Sequence, residues 1–424
     1  MPAFSAAWWD VSLDPSVRAD SHAAERRDAT GQPFVNPPTD DGRLGLTYER
    51  YLHLDRLLDA QEPASRVPDE RVFVLTHQLF ELAFKQILFD LGVIVRTFEA
   101  LLAMDDDAFR RLALAPLPRA ADADGPEPFW RPALTAAARV RHIVRRILPA
   151  VMPLMGRGDD DDVLFSTLEF GLFRAFLTPS SGFQAASLRL IQRALGKTPA
   201  LALDLYPGDV FGHNYTGCPV GHVAPGSPLI LGEGYARAFP PDGSDEARVA
   251  AFDAVAHAVL TRLAPLADGL PTPPPTPRLS DPDAERLVAR FRATLGPDAD
   301  EAPVQRFAAE LSDAAAAENR RRDALAPARV GAQALLARAP RSCLAFVLDR
   351  IVAADAALHA PDGDSFLTVH RKTVRQHVPD GSGTGGGGMP YLVTSQRFLF
   401  PLFPALVAYA DLAAMLSEDA AERW

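Results

Sequence analysis

The stretch Asp69-Glu70-Arg71-Val72-Phe73-Val74-Leu75-Thr76-His77-Gln78-Leu79-Phe80-Glu81-Leu82-Ala83-Phe84-Lys85-Gln86-Ile87-Leu88 decides the fold. Phe73, His77, Phe80, Phe84 and Leu88 recur at i, i+4, i+7, i+11 and i+15, which is one face of an α-helix. The pattern predicts a helix running on to Met104. His77 sits inside its aromatic stripe, and this segment alone leaves two readings of it open. It is a core histidine bonded to a neighbouring carbonyl, as buried polar groups usually are, or an imidazole facing a ligand.

A second histidine raises the same question far down the chain. His370 lies in Phe366-Leu367-Thr368-Val369-His370-Arg371-Lys372-Thr373-Val374-Arg375-Gln376-His377, which reads as a helix ending at Val378-Pro379-Asp380-Gly381. Six glycines follow within Gly381 to Gly388, broken only by Ser382 and Thr384. Such a stretch lets backbone approach a bulky ligand, because glycine has no Cβ and tolerates positive φ; a merely flexible loop is the bland alternative. It lacks the Gly-Lys-Ser/Thr ending of a phosphate loop, since Met389-Pro390-Tyr391 comes next.

Composition sets limits on partners. A formal charge of −11 over 424 residues argues against nucleic acid, which needs a concentrated positive surface. Of the 43 basic residues all but Lys85, Lys197 and Lys372 are arginines, a usage that says nothing about mechanism. Cys218 and Cys343 are the two cysteines, so there is no disulfide framework and no thiolate zinc site; a reducing, cytoplasmic location is expected. The N-terminus lacks the basic start and long apolar core of a signal peptide. The longest apolar run, Phe398 to Ala410, is interrupted by Pro401 and Pro404 and is too short for a bilayer, so no membrane span is expected.

Residues 1–45 read as a polar arm. From Leu46 a helix is expected that places Tyr48, Tyr51, Leu52 and Asp55 on neighbouring turns. Further helices are expected over 131–150, Leu164–Leu177, Phe183–Leu195, 246–266, 281–294 and 302–323, with a proline-rich linker at Gly269–Pro277. A strict period of two persists almost nowhere, so the fold class is all-α. The aspartate run Asp159 to Asp162 reads as a solvated loop rather than a metal site, and His53-Leu54-Asp55 is too short a match to an iron triad to carry weight. There is no HExxH and no GxSxG. Arg174, one cation in a row of phenylalanines with Phe170 one turn earlier, either snorkels to the surface or holds an anion.

Four separate strings resemble the tryptophan 2,3-dioxygenase family of heme enzymes, in that family's order. They are Leu-Thr-Tyr-x-x-Tyr-Leu-x-Leu-Asp-x-Leu-Leu-x-Ala-Gln at 46–61, Asp-Glu followed by Thr-His-Gln-x-x-Glu-Leu-x-x-Lys at 69–85, Phe-Arg at 173–174 with Ser-Ser-Gly-Phe-Gln at 180–184, and Gly-Thr-Gly-Gly at 383–386. The resemblance implies an all-α heme-binding helical bundle, divided into an arm (1–45), a first half of the heme and substrate domain (46–198), an enlarged variable region (199–345) and a second half (346–424). It implies heme b on His370 as axial iron ligand, with Ser181, Gly182 and Gly383 against the cofactor. His77 is then the base accepting the indole N–H, beside Phe73 and Phe170. Arg174 pairs with the substrate carboxylate and Thr384 with its ammonium. Tyr48, Tyr51 and Leu52 complete the pocket of a neighbouring subunit, which implies a homotetramer, or a dimer.

The implied reaction opens the indole of L-tryptophan with O2 to give N-formylkynurenine. Departures from the family pattern keep two alternatives in view: a monooxygenase or peroxygenase acting on a tryptophan or tyrosine derivative, and a heme-based sensor. Thr384 is followed by Gly385-Gly386-Gly387-Gly388-Met389 without the family's serines, Phe170 replaces a tyrosine, and Asp362-Gly363-Asp364 leads into the axial helix.

Overall fold

A computed structural model describes residues 48–118, 128–156, 162–177, 185–196, 252–273, 301–359 and 365–377, with helical positions at 285, 288, 289 and 292. Among these residues the protein is all-α, with no strand longer than an isolated bridge such as Pro116 with Ser342. Ser181, Gly182, Gly383 and Thr384 lie outside the described residues, as do the glycine-rich stretch and the apolar run at 398–410. No helix among the described residues is long and apolar enough to cross a membrane.

The expected helix from Leu46 is instead two short ones, α1 (Tyr48–Leu52) and α2 (Leu54–Asp59). Between them His53 adopts a left-handed conformation (φ 50°, ψ 47°), the one non-glycine residue with positive φ among those described. Its carbonyl accepts the amides of Arg56 and Leu57, so it opens α2 where α1 stops. Tyr48 is 74% and Leu52 38% exposed, so this arm contributes little to the core.

Helix α3 (Pro68–Leu102) is the axis of the fold. Pro68 presets φ at the first position, and Asp69 and Glu70 favour the positive helix start. Its far end is capped from another helix: Arg262 donates to the carbonyls of Leu102 (2.8 Å) and Met104 (2.7 Å) and to the Asp106 carboxylate (2.9 Å). Asp105 caps α4 (Asp106–Ala113) by accepting the Ala108 amide.

The expected helix over 131–150 is α5 (Arg131–His142), a π-helical turn (Ile143–Ile147) and α6 (Leu148–Val151), followed by a 3-10 turn (Met152–Met155). Pro149 has no N–H to return to the preceding turn, which favours a break in the regular ladder there. Then come α7 (Thr167–Arg174) with a 3-10 extension to Leu177, α8 (Ala186–Ala194), α9 (Phe252–Arg262), α10 (Glu301–Ala324), α11 (Ala326–Arg338), α12 (Cys343–His359) and α13 (Phe366–His377). Helix α13 has the bounds its sequence predicts.

One core joins α3, α5, α9, α11 and α12, centred on Phe98, Trp130, Phe252, Leu335 and Leu348. The middle of the chain therefore packs into the same core as the first helices. Helices α9 and α11 cross so closely that a Cβ on Gly331 would lie 1.6 Å from the Leu260 carbonyl oxygen. Asp90, fully buried on α3, is held by Arg139 of α5 at 2.6 Å.

Candidate functional site

The first half of α3, the 3-10 turn at Met152–Met155, α7 and α13 wall a small aromatic cavity of about 70 Å³. Phe73, His77 and Phe80 line it from α3, and His370, Thr373, Val374 and His377 from α13. Met152, Met155, Phe165 and Phe170 complete the lining. The two histidines singled out in the sequence, almost three hundred residues apart, thus meet at one site. Phe73 and Phe170, expected beside them, are there too. Arg174 ends α7, half-buried, close in sequence to Phe170 but outside that lining.

The helices are tied at their ends. Asp69, at the start of α3, accepts the Ser166 amide (2.5 Å) just before α7, and Glu169 of α7 accepts the Asp69 amide (3.2 Å). Each helix start thereby caps the other, which fixes His77 relative to Phe170. Glu70 is buried and accepts the amides of Ala64 and Ser65 (2.7 Å each) and the Ser65 hydroxyl. Burial acts to raise its pKa, but these hydrogen bonds outweigh it and hold the carboxyl below its usual range. These contacts give a structural task to the Asp69-Glu70 pair. One turn beyond His77, burial pushes the Glu81 carboxyl up against the opposing effect of a hydrogen bond with Ser187 of α8.

His77 bonds through Nδ1 to the Phe73 carbonyl at 2.8 Å, as the core-histidine reading expects. A carbonyl only accepts, so Nδ1 carries the proton and Nε2 is left as an acceptor. The Phe73 ring lies 4.1 Å from the imidazole, with Phe173 and Phe170 at 5.6 and 6.0 Å from Phe73. Burial lowers the His77 pKa more than the Phe73 carbonyl raises it. The core bond and an acceptor role are therefore compatible in one ring.

His370 differs. Its Nδ1 is buried with no hydrogen-bond partner among the described residues, and the Phe366 ring lies along it at 6.2 Å. Burial, and to a smaller extent the charge His77 would carry, push its pKa down to about 4. It is a neutral imidazole across the physiological range, the form that binds a metal.

These residues fit a heme by donor chemistry: a neutral imidazole in an apolar, aromatic setting is a suitable axial ligand. A ligating histidine usually donates its second ring N–H to an oxygen, and among the described residues His370 Nδ1 has no such acceptor. A cavity of about 70 Å³ is far smaller than a porphyrin, so a porphyrin needs room beyond these side chains. No group of three His, Cys, Asp or Glu side chains among the described residues forms a separate metal site.

Met152, Met155, Phe165 and His377 were not anticipated in the sequence. The methionines follow Pro149 and flank Pro153, where periodicity fails, and His377 stands seven residues from His370 on the same helix face.

Residues 35–113, which include α3, match the family model described as Tryptophan 2,3-dioxygenase. The chain is 33% identical over 184 residues to the tryptophan 2,3-dioxygenase of Saccharopolyspora erythraea, which covers 43% of this chain and 53% of that protein. With the tryptophan 2,3-dioxygenase of Kineococcus radiotolerans it shares 32% over 170 residues (40% of this chain, 47% of the relative). With that of Mus musculus it shares 29% over 179 residues (40% and 37%). The chain spans about half the length of the two bacterial relatives it matches.

Proposed function

We propose that this chain, which belongs to the tryptophan 2,3-dioxygenase family, is a heme-dependent oxygenase opening the indole ring of L-tryptophan, or a close derivative, with O2. The product is N-formylkynurenine. Both oxygen atoms enter the product as the C2–C3 bond breaks, so no external reductant is consumed per turnover. The observation that carries this reading is the pairing in one aromatic cavity of two imidazoles kept neutral by burial, with His77 fixed through Nδ1 so that Nε2 is the acceptor.

His370 would hold the iron of heme b, with Ser181, Gly182 and Gly383 against the macrocycle. The heme, when bound, supplies the redox-active iron that makes O2 reactive toward the ring. His77 would accept the indole N–H at Nε2, its ring fixed by the Phe73 carbonyl so that the acceptor needs no reorganisation. Phe73 and Phe170 would flank the indole and exclude water. Arg174 would clamp the substrate carboxylate with its guanidinium fork, and Thr384 would receive the ammonium. Tyr48, Tyr51 and Leu52 would complete the site of a neighbouring subunit in a cytoplasmic homotetramer. The outward exposure of Tyr48 and Leu52 supports this.

The test is to load the protein with heme, reduce it, and follow absorbance with L-tryptophan and O2. Formation of N-formylkynurenine supports the proposal. Product only with peroxide, carrying one added oxygen, transfers the site to monooxygenase chemistry. Heme binding with no product leaves a sensor. Arg174→Ala should raise KM sharply, because a lost carboxylate partner costs ~2–5 kcal/mol; unchanged kinetics would remove Arg174 from the site.

A further inference from the structure

The geometry points to His377 as the residue that positions His370. It does so as a hydrogen-bonded strap between α13 and the two elements facing it, and its role in cofactor binding rests on the heme reading above. His377 sits two turns after His370, ~10 Å along the same face. Its Nε2–H donates to the Met155 carbonyl at 2.6 Å, and its Nδ1 accepts the Thr167 hydroxyl at 3.0 Å. A carbonyl cannot donate, so the first bond places the proton on Nε2, and the second then uses the lone pair on Nδ1. One neutral tautomer satisfies both. The ring therefore joins α13 to the 3-10 turn at Met155 and to the first residue of α7, while its edge packs on Phe165 at 5.1 Å.

His370 needs such a device because its own ring has none at Nδ1. That nitrogen makes no hydrogen bond, so the aim of the imidazole follows from where α13 lies. The helix is pinned at its start by Phe366, edge-on to Phe80 (5.1 Å) and Phe84 (5.9 Å), while Ser365 caps its first turn by accepting the Thr368 amide. At its end His377 makes the polar attachment. His370 lies between the two pins.

Two substitutions separate hydrogen bonding from packing. His377→Phe keeps a ring but loses both bonds; His377→Gln loses the ring but keeps a donor for Met155 and an acceptor for Thr167. Amide hydrogen exchange on the heme-free full-length protein comes first, since it does not depend on heme. Amides of α13 should exchange ~10-fold or more faster in His377→Phe and near the wild-type rate in His377→Gln, with Thr167→Val, which removes one bond, in between. Wild-type exchange in His377→Phe, or equal loss in both variants, overturns the strap.

Heme titration then reads the consequence for His370. His377→Phe should bind heme ~10-fold or more weakly, in the range lost when a supporting contact to a metal ligand is removed, with a heterogeneous Soret band. His377→Gln should keep the wild-type band. Unchanged heme affinity in His377→Phe overturns the link to His370. A wild-type protein that takes up no heme defeats the proposed function instead, and leaves the exchange result to decide the strap.

Discussion

Helix α3 runs through two environments, a dry core along its second half and the edge of the aromatic cavity along its first. From Leu91 to Val95 every residue is buried. There Asp90 is neutralised by Arg139, and the Thr97 hydroxyl donates to the Val93 carbonyl at 3.0 Å. In the first half, Phe73 and His77 are half-buried beside the cavity, and the hydroxyl of the fully buried Thr76 has no partner among the described residues. His370 across the cavity has its unpartnered nitrogen as well. In the dry half the Asp90 carboxylate and the Thr97 hydroxyl are satisfied internally, which helps to hold the fold. On the cavity side the Thr76 hydroxyl and the facing His370 Nδ1 have no partner among the described residues, which costs stability and suits the binding of something else.

The largest break in this comparison is in the dry half. Arg139→Ala leaves Asp90 charged and buried, and should destabilise by ~3–5 kcal/mol in urea titration. Heme binding by the protein that remains folded should be unaffected. An effect on heme affinity as large as that on stability would erase the division between the two halves.

Next is an acid sensitivity that belongs to the cavity. Above pH 6.5 His370 is neutral whether the chain is folded or not. As pH falls below 6.5 the unfolded chain takes the proton first, so stability of the heme-free protein drops until the folded pKa of about 4 is reached. The loss from His370 is at most about 3 kcal/mol. His77, also lowered, acts in the same direction. Denaturation at pH 7 and pH 5 should show His370→Phe with a flatter dependence than wild type.

The smallest contrast is between two threonines. Thr97→Val should cost ~1 kcal/mol, a hydrogen bond's net worth, whereas Thr76→Val removes a hydroxyl that bonds to nothing and should be neutral or stabilising. Equal losses would show that Thr76 is satisfied after all.

What could be read from the sequence follows the same division. Helices with one buried face, α3 and α13, were legible to within two residues because their apolar period is strong. Helix α11 was not singled out: it is alanine-rich and buried from Ala332 through Leu336, so it shows no face. The break at His53 depends on a left-handed conformation that no spacing reports. His77 and His370 stood out as polar groups in apolar helices. Met152 and Met155 lie where no period marks them, and His377 carries no signal beyond its seven-residue spacing from His370.

His370 is the residue proposed to hold iron. Heme titration of the wild type, His77→Ala and His370→Ala, read by the Soret band, tests it directly. The wild type and His77→Ala should bind heme with an imidazole-coordinated spectrum, and His370→Ala should lose that spectrum. An unchanged imidazole-coordinated band in His370→Ala would contradict the account.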